Sequence, residues 1–334
     1  MKIAVLFGGV SRERDVSVAS SSQIIRALRS NGHDVIAVDA SRGILAPEEE
    51  SKTLRETVDR SIPGEASAPE ASLETVIAEI ASAGFDLVFL GMHGGAGENG
   101  TVQALLQDAG VTFTGSDSAG SALAMSKEET KKRFRETGVP TPPWLMAPAP
   151  IAQVEAELGF PVIVKPSNEG STVGLSLVKN PADFEAAVVL AAAFDDRVVL
   201  ERYIPGRELT VGVLNDEAFA AGEIIPSTGE IFDYAAKYQA DEVTEIFPAD
   251  LSEEESARIR ELALAAHRAL GLSSYSRADF RCDSDGEFWC LEVNTLPGMT
   301  PNSLLPQSVG VFGLDFGQLC ERICLNALSQ DTDS

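Results

Sequence analysis

The first forty residues alternate between short apolar runs and one longer stretch with helical spacing. The apolar run Lys2–Phe7 predicts a strand, and Gly8–Gly9 would end it. The apolar positions that follow repeat at helical spacing as far as Asn31–Gly32, a pair typical of a helix C-terminus. His33–Asp39 predicts a second strand, so the segment predicts a β-α-β unit within an α/β layer.

The pattern changes between residues 41 and 72, where Ser, Glu, Ala and Pro dominate. We interpret this stretch as a solvated helix and loop inserted at the surface, and we assign it no function. Beyond it, Phe85–Leu90 predicts a strand, Asn99–Asp108 a helix and Val111–Thr114 another strand. A first domain is therefore predicted over residues 1–116.

The middle of the chain predicts a small domain over residues 117–201. Helical spacing extends to Gly138, and the proline-rich segment 140–143 predicts a stiff connector. The elements predicted after it are the strands Pro161–Lys165, Leu175–Val178 and Val198–Arg202 and the helix Pro181–Ala193.

A third domain is predicted over residues 202–330. Its strands are expected near 208–214, 218–225, 275–282 and 287–294. Ser252 and Glu255 form a capping-box signal for the start of a helix that Gly271 would end. Ser284–Gly286 lies between the last two strands and indicates a hairpin.

The composition describes a globular protein and excludes several classes of function. The chain has 334 residues, of which 26 are basic and 51 acidic, so its formal charge is −25. This charge repels nucleic acid and anionic membranes, and neither is expected as a partner. The longest apolar run, Ala186–Phe194, is too short to span a bilayer. The absence of a signal-peptide pattern and of a CxxC pair predicts a cytoplasmic protein with reduced thiols.

Charged residues alternate along the last two predicted strands. Arg277, Asp279 and Arg281 share one strand face, and Glu292 and Asn294 share one face of the next strand. If the hairpin brings these faces together, two carboxylates and an amide oxygen converge, and such hard oxygen ligands suit Mg²⁺. A charged hairpin surface facing solvent explains the spacing equally well, so both interpretations stay open at this point.

Two glycine-containing turns are further candidates for a ligand site. Lys165 precedes the small, hydroxyl-rich loop 169–174, whose backbone N–H groups could cradle a phosphate. It is not a Walker A loop, and an ordinary hairpin loop is the favoured alternative. At the turn Gly8–Arg14 the dipole of the next helix favours an anion, whereas Glu13 favours a cation or an ammonium group; a plain capped helix start is the alternative.

Lysines are rare in this chain, which makes each one informative. There are eight, at positions 2, 52, 127, 131, 132, 165, 179 and 237. Lys165, at a predicted strand end, and Lys237 are candidate charges for an anionic ligand. Lys131 and Lys132 lie in a mixed-charge helical stretch and are expected at the surface.

Taken in order, these motifs resemble the D-alanine:D-alanine ligase family of the ATP-grasp superfamily. The resemblance covers nearly the whole chain, and only the stretch 41–72 is not matched. Each motif alone is weak, but the ordered set is specific. The segments that carry it are Gly8–Ser17, His93–Gly94, Gly97–Gly100, Lys165–Pro166, Glu169–Ser171, Gly206–Val211, Tyr234–Tyr238, Glu292–Thr300 and Ser303–Leu304.

The resemblance implies an α/β ATP-grasp fold with three domains: an N-terminal open parallel sheet, a small central α+β domain, and a C-terminal α+β domain with a mostly antiparallel sheet. It implies that two D-alanines and ATP give the dipeptide for peptidoglycan precursors, ADP and phosphate, through a D-alanyl phosphate. ATP would lie between the central and C-terminal domains with two Mg²⁺, for which Mn²⁺ could substitute. The family also suggests a homodimer.

Four groups of residues match the nucleotide and metal positions of the family. The metal ligands are Asp279, Glu292 and Asn294. The positions at the phosphates or the adenine side are Lys127, Lys165 and Lys237, and those at the adenine amino group and the ribose hydroxyls are Glu201 and Glu208. The loop that closes over the γ-phosphate contains Gly170, Ser171 and Thr172.

Glu13 matches the residue that holds the ammonium group of the first D-alanine. It would be linked by hydrogen bonds to Ser171 and Tyr238, so one link would join all three domains. Substrate binding and loop closure would then be coupled, and closure would keep water away from an acyl phosphate.

Four further residues match positions around the reacting carbonyl. His93 matches a residue of the first subsite, and Ser303 matches a ligand of the second D-alanine's carboxylate. Arg277, with the backbone N–H of Gly298, matches the group that stabilises the tetrahedral oxyanion.

The same residues leave alternatives. Another ATP-grasp ligase would share the nucleotide half but would have no reason to keep Glu13 and Tyr238, and a ligase that adds D-serine or D-lactate is a closer variant. A regulatory protein without catalysis should have lost part of the hairpin cluster, which is complete. Asn99, Ser126 and Thr172 depart from residues common in the family, and these departures bear on fine specificity, not on the reaction.

The pair Lys237–Tyr238 predicts an amine as the second nucleophile, because relatives that make D-alanyl-D-lactate have a differently shaped loop there. With D-alanine and D-lactate offered together near neutral pH, we expect the dipeptide as the main product. Mass spectrometry of the products measures the ratio, and a majority of depsipeptide would contradict this prediction.

Overall fold

The described part of the chain forms three separate β-sheets. The structure is a computed structural model that describes residues 1–55, 69–226 and 243–331. Lys237, Tyr238 and residues 56–68 of the acidic stretch lie outside these ranges. Within the ranges, every helix is too short or too polar to cross a membrane.

The first sheet is built around a buried central strand. Its strands are β1 (Lys2–Phe7), β2 (Asp34–Asp39), β3 (Gly43–Ile44) and β4 (Leu87–Leu90), in the order β3-β2-β1-β4. Its helices are α1 (Arg14–Ser30), α2 (Pro47–Thr53), α3 (Leu73–Ser82) and α4 (Thr101–Asp108). β1 pairs in parallel with β2 and β4, and its residues 3–7 are fully buried, as expected for a helix-covered parallel sheet. The predicted β-α-β unit is confirmed.

The strand predicted at the end of this region is wrong, and the structure describes only part of the acidic stretch 41–72. Val111–Thr114 is not a strand, because Phe113 alone makes a bridge, to Val88, before the chain turns at Gly115 with φ of 97°. The acidic stretch contains the solvated helix expected of it, α2, and adds the edge strand β3, which is antiparallel to β2.

The central sheet is antiparallel throughout. Its strands are β5 (Trp144–Met146), β6 (Val162–Pro166), β7 (Ser176–Val178) and β8 (Val198–Arg202), in the order β5-β8-β6-β7. The helices before and within it are α5 (Ser118–Met125), α6 (Lys127–Thr137), α7 (Ile151–Glu157) and α8 (Phe184–Ala192). The three predicted strands are confirmed. The predicted helix Pro181–Ala193 is a 3₁₀ turn, Pro181–Asp183, followed by α8.

The third sheet is also antiparallel and has β12 next to its edge strand β13. Its strands are β9 (Arg207–Leu214), β10 (Glu217–Pro226), β11 (Val243–Ile246), β12 (Tyr275–Cys282) and β13 (Phe288–Asn294), in the order β11-β10-β9-β12-β13. Its helices are α9 (Glu253–Ala269), α10 (Leu304–Gly310) and α11 (Phe316–Asp331). The four predicted strands and the capping box of Ser252 and Glu255 are confirmed.

The first and third sheets share one apolar core. Leu214, Phe219 and Tyr275 of the third sheet belong to the same buried cluster as β1, and Leu305 and Val309 of α10 join it. This shared core fixes the first domain against the sheet that contains β12 and β13.

Gly206, between β8 and β9, has φ of 132°, and an added Cβ would collide with the carbonyl oxygen of Cys282. Gly286 also has a left-handed φ, 79°, but an added Cβ would have no atom within 4 Å. We expect Gly206→Ala to lower the free energy of unfolding by about 2–4 kcal/mol and Gly286→Ala by about 1–2 kcal/mol. Urea denaturation measures both, and equal losses would show that the close approach at Gly206 contributes nothing.

Candidate active site

The pairing of β12 with β13 brings the two charged faces together. Arg277 lies opposite Asn294, and Asp279 lies opposite Glu292. A bulge follows directly after this pair. The condition stated from the sequence, that the hairpin brings these two faces together, is therefore met.

Arg277 and Asp279 form a bidentate ion pair that is nearly buried. Nε and Nη2 of Arg277 lie 2.9 and 2.8 Å from the two carboxylate oxygens of Asp279, and the side chains are 13% and 14% exposed. Thr210 Oγ1 on β9 donates a further hydrogen bond to Asp279, at 2.7 Å. Burial opposes the charge of Arg277, but Asp279 and Glu292 outweigh it and raise the pKa of Arg277 above its usual value. A solvated surface is therefore the wrong interpretation for this pair.

Lys127 connects the hairpin to the loop of the central domain. Its Nζ lies 3.3 Å from Glu292 Oε2 and donates a hydrogen bond to the backbone oxygen of Glu169 at 2.7 Å. Its backbone N–H donates to the carbonyl oxygen of Ser167 at 3.0 Å, at the start of α6. One ammonium group thus contacts both sides of the cleft.

A second lysine cluster is buried and corrects one prediction. Lys165 Nζ on β6 lies 2.8 Å from Glu201 Oε1 on β8, and Lys131 Nζ on α6 lies 2.5 Å from Glu201 Oε2. Lys131 was expected at the surface, but it is fully buried. It follows Lys127 by four residues and therefore shares the inward face of α6. Lys132, with 42% of its side chain exposed, lies at the surface as predicted.

The hydroxyl-rich loop is closed onto the first turn of the chain. Ser171 Oγ donates a hydrogen bond to Glu13. Ser171 and Thr172 both have left-handed φ, 48° and 61°, a conformation that costs about 1–3 kcal/mol for non-glycine residues. Gly174 has φ of 70°, and an added Cβ would lie 2.8 Å from Phe194. A strained loop bonded to another domain is typical of a functional site more than of a simple hairpin.

Hydrogen bonds also join the first turn to the segment after β4. Ser11 Oγ donates to the backbone oxygen of His93 at 2.6 Å and accepts the N–H of Glu13 at 3.1 Å. The buried ring of His93 contacts Ser20 Oγ on α1 through Nε2, at 3.0 Å. At Gly94, where φ is 66°, an added Cβ would collide with Glu13. Glu13 and the His93 segment are therefore closely packed.

The segment after β13 is attached to the same helix. The backbone N–H of Met299 donates to Ser20 Oγ at 3.3 Å. Ser303 Oγ accepts the N–H of Thr300 at 3.0 Å, and an added Cβ on Gly298 would lie 3.0 Å from that oxygen. Gly298 and Ser303 are therefore held close together and next to α1.

Two adjoining cavities contain all the predicted site residues that the structure describes. The first cavity is lined by Lys165, Thr172, Glu201, Glu208 and Asp279. The second is lined by Glu13, His93, Asn294, Gly298 and Ser303. The predicted site residues that line both cavities are Lys127, Gly170, Ser171, Arg277 and Glu292. The charged hairpin therefore stands where the cavities meet. Lys237 and Tyr238 lie outside the described residues.

Comparison with known proteins gives matches over nearly the whole chain. The family model described as D-ala D-ala ligase N-terminus matches residues 2–116, and that described as D-ala D-ala ligase C-terminus matches residues 135–325. A D-alanine–D-alanine ligase of Synechococcus sp. (strain JA-3-3Ab) is 39% identical, over 99% of this chain and 94% of the relative. A D-alanine–D-alanine ligase of Geobacter sulfurreducens is 40% identical, over 98% of this chain and 94% of the relative.

The chain belongs to the D-alanine–D-alanine ligase family. Solved ligase structures share its fold from end to end. The D-alanine–D-alanine ligase of Bacillus anthracis complexed with ATP has a TM-score of 0.80 at 27% identity and covers 100% of this chain and 99% of its own. The VanG D-Ala:D-Ser ligase of Enterococcus faecalis has a TM-score of 0.80 at 30% identity and covers 98% of this chain and 99% of its own. The predicted family, ATP-grasp fold and ligase class are confirmed.

Two residues of this ligase were given no role by the sequence, although signals for both were present. Arg281 shares the strand face of Arg277 and Asp279, and its Nη1 lies 3.2 Å from Glu208 Oε2. Glu98 lies inside a family motif, and its Oε1 accepts the N–H of Gly94 at 3.1 Å. The alternation of side chains along β12 would have placed Arg281 in the site, and the position of Glu98 inside a family motif would have done the same for Glu98.

Proposed function

We propose that the protein joins two D-alanine molecules into D-alanyl-D-alanine at the expense of ATP, a step that supplies peptidoglycan precursors. The observation that carries this proposal is the position of Arg277 and Glu292, which line both cavities. A phosphoryl group from the first cavity and a carboxylate from the second would meet at these side chains.

ATP would occupy the first cavity. Lys165 would bind phosphate oxygens, Glu201 would accept a hydrogen bond from the adenine amino group, and Glu208 would bind the ribose hydroxyls. Lys127, which already contacts both sides of the cleft, would meet the γ-phosphate. Phosphoryl transfer depends mainly on this kind of positioning and charge neutralisation.

The donor set on the hairpin fits Mg²⁺. Asp279 and Glu292 offer carboxylate oxygens from directly opposed strand positions, and Asn294 offers an amide oxygen beside them. We propose that these residues hold two Mg²⁺, with Mn²⁺ able to substitute. The bound ions would neutralise the negative charge of the triphosphate.

The two D-alanines would occupy the second cavity. Glu13 would hold the ammonium group of the first, with His93 beside it, and Ser303 would bind the carboxylate of the second. An oxygen of the first carboxylate attacks the γ-phosphorus and the bond to ADP breaks. The amine of the second D-alanine then attacks the acyl carbon, phosphate leaves, and the amine loses a proton.

Arg277 would stabilise the oxyanion that forms in the second step. Its raised pKa keeps the guanidinium charged at every pH at which the enzyme works. With the backbone N–H of Gly298 it would place donors at the oxygen that becomes negative, a contribution typically worth about 3–4 kcal/mol of the barrier.

Closure of the loop would keep water from the acyl phosphate. The hydrogen bond from Ser171 to Glu13 joins the loop to the subsite for the first ammonium group. We propose Tyr238 as the third member of this link. Binding of the first D-alanine and exclusion of water would then be coupled.

The remaining features of the proposal concern organisation and specificity. We propose domains at 1–116, 117–201 and 202–330, a homodimer, a cytoplasmic location, and only small molecules as substrates. D-Serine as the second substrate is the other candidate, because the VanG D-Ala:D-Ser ligase shares the fold at 30% identity.

Phosphate release tests the reaction. When ATP and Mg²⁺ are present, we expect phosphate to be released with D-alanine as the only amino acid. We expect no phosphate release when L-alanine takes its place. Glu292→Gln should lower kcat by about 100-fold or more, because it removes a charge at the junction of the cavities. Glu287→Gln is the matched control, since Glu287 is an exposed hairpin residue paired with Arg258.

The expected pattern is full activity in Glu287→Gln, loss in Glu292→Gln, and unchanged melting temperatures in both. Release with L-alanine alone, or an active Glu292→Gln enzyme, would overturn the proposed reaction or the proposed site, respectively.

A further inference from the structure

Lys131 is fully buried, and its ammonium group lies close to three oxygen atoms. Its Nζ lies 2.5 Å from Glu201 Oε2, donates to Thr141 Oγ1 at 2.8 Å, and donates to the carbonyl oxygen of Pro142 at 3.2 Å. Two of the three ammonium hydrogens are donated to Thr141 and Pro142, and the charge is paired with Glu201. The side chain is therefore fixed in position between α6, the proline-rich connector and β8.

The cluster that Lys131 completes has an uneven charge. Glu201 is buried between two lysines, with Lys165 on Oε1 and Lys131 on Oε2. Burial opposes the charge of Glu201, but Lys131 and Lys165 outweigh it and lower its pKa. A Lys165–Glu201 pair alone would be neutral. Burial lowers the pKa of Lys131 to about 8, so the three groups together carry one net positive charge only below that pH.

Lys131, Lys165 and Glu201 do not all reach the first cavity. Lys165 and Glu201 line that cavity, whereas Lys131 is behind Glu201 and is not part of the lining. Lys131 therefore reaches a ligand in the cavity only through Glu201. The excess positive charge is presented to the cavity by Lys165.

We propose that Lys131 is a positioning residue for the nucleotide: it fixes the Glu201 carboxylate in its ionised form and balances its charge, so that Lys165 remains available to the anionic part of ATP. This inference rests on the proposed function, which places ATP in the first cavity. Lys131 would thus affect the affinity for ATP and the preference for an adenine amino group over an oxo group.

A purely structural role makes a different prediction. Removing one member of a buried ionic cluster destabilises a protein whether or not the cluster binds a ligand. Such a role would lower the melting temperature and leave the kinetic constants of the folded enzyme unchanged. The KM for ATP and the choice between nucleotides separate the two roles.

The test is Lys131→Met, assayed with ATP and with inosine triphosphate, which has an oxo group where ATP has the amino group. We expect the KM for ATP to rise by about 10-fold or more, while the KM for D-alanine and kcat at saturating ATP stay within about 2-fold. The preference for ATP over inosine triphosphate should fall, because a protonated or reoriented Glu201 no longer selects a hydrogen-bond donor.

Lys132→Met is the matched control, since Lys132 is the next residue of α6 and is exposed. It should match the unmodified enzyme in all three constants. Thr141→Val keeps every charge and removes one hydrogen-bond acceptor of Lys131, and it gives a second test if Lys131→Met does not fold. We expect it to raise the KM for ATP by a smaller factor.

An unchanged KM for ATP and an unchanged nucleotide preference in a folded Lys131→Met or Thr141→Val enzyme would overturn the inference. The proposed function fails in a different experiment, because an unmodified protein that releases no phosphate with D-alanine and ATP would refute it before any variant is made.

Discussion

The register between β12 and β13 determines where every charged group of the hairpin lies. A shift of one residue would turn each side chain to the other face of the sheet. The register is fixed from both sides, because β12 also pairs with β9 over its full length and Asp279 accepts a hydrogen bond from Thr210 of that strand. Arg277, Asp279 and the opposed residues of β13 therefore have one arrangement available, and it faces both cavities.

This rigid hairpin is combined with a strained loop that is bonded to the first turn of the chain. The loop that contains Ser171 reaches the first turn of the chain, and its left-handed residues are strained. A strained loop joined to a different domain is suited to opening and closing with the ligand, whereas a paired central strand is not. The chemistry would thus be fixed by the sheet and the access controlled by the loop.

Charge is distributed unevenly between the surface and the site. The chain has a formal charge of −25 and only eight lysines. Lys127, Lys131 and Lys165, three of these eight, meet at or behind the first cavity. The lining of the first cavity has equal numbers of basic and acidic side chains, so it repels an anionic substrate less than the strongly acidic chain as a whole would.

Alternation and helical spacing predicted most of the fold and most of the charged hairpin, because both periods are local properties of the chain. Two of the shorter elements were missed or misassigned: β5, with three residues, was not predicted, and Val111–Thr114 was predicted as a strand but makes only one bridge. The position of Lys131 was mistaken because its partner Glu201 is 70 residues away and its own surroundings in the sequence are polar. Roles at the subsites came from the resemblance, since no spacing rule brings Glu13 to Ser171.

The central claim is that a metal-bound triphosphate and the carboxylate of an amino acid meet at this hairpin. The most direct measurement is ¹³C NMR of carboxyl-labelled D-alanine bound with a non-hydrolysable ATP analogue, with Mn²⁺ compared against Mg²⁺. Paramagnetic Mn²⁺ should broaden the carboxyl resonance strongly, and Asp279→Asn should remove the broadening. A sharp resonance in the presence of bound Mn²⁺, analogue and D-alanine would contradict the account.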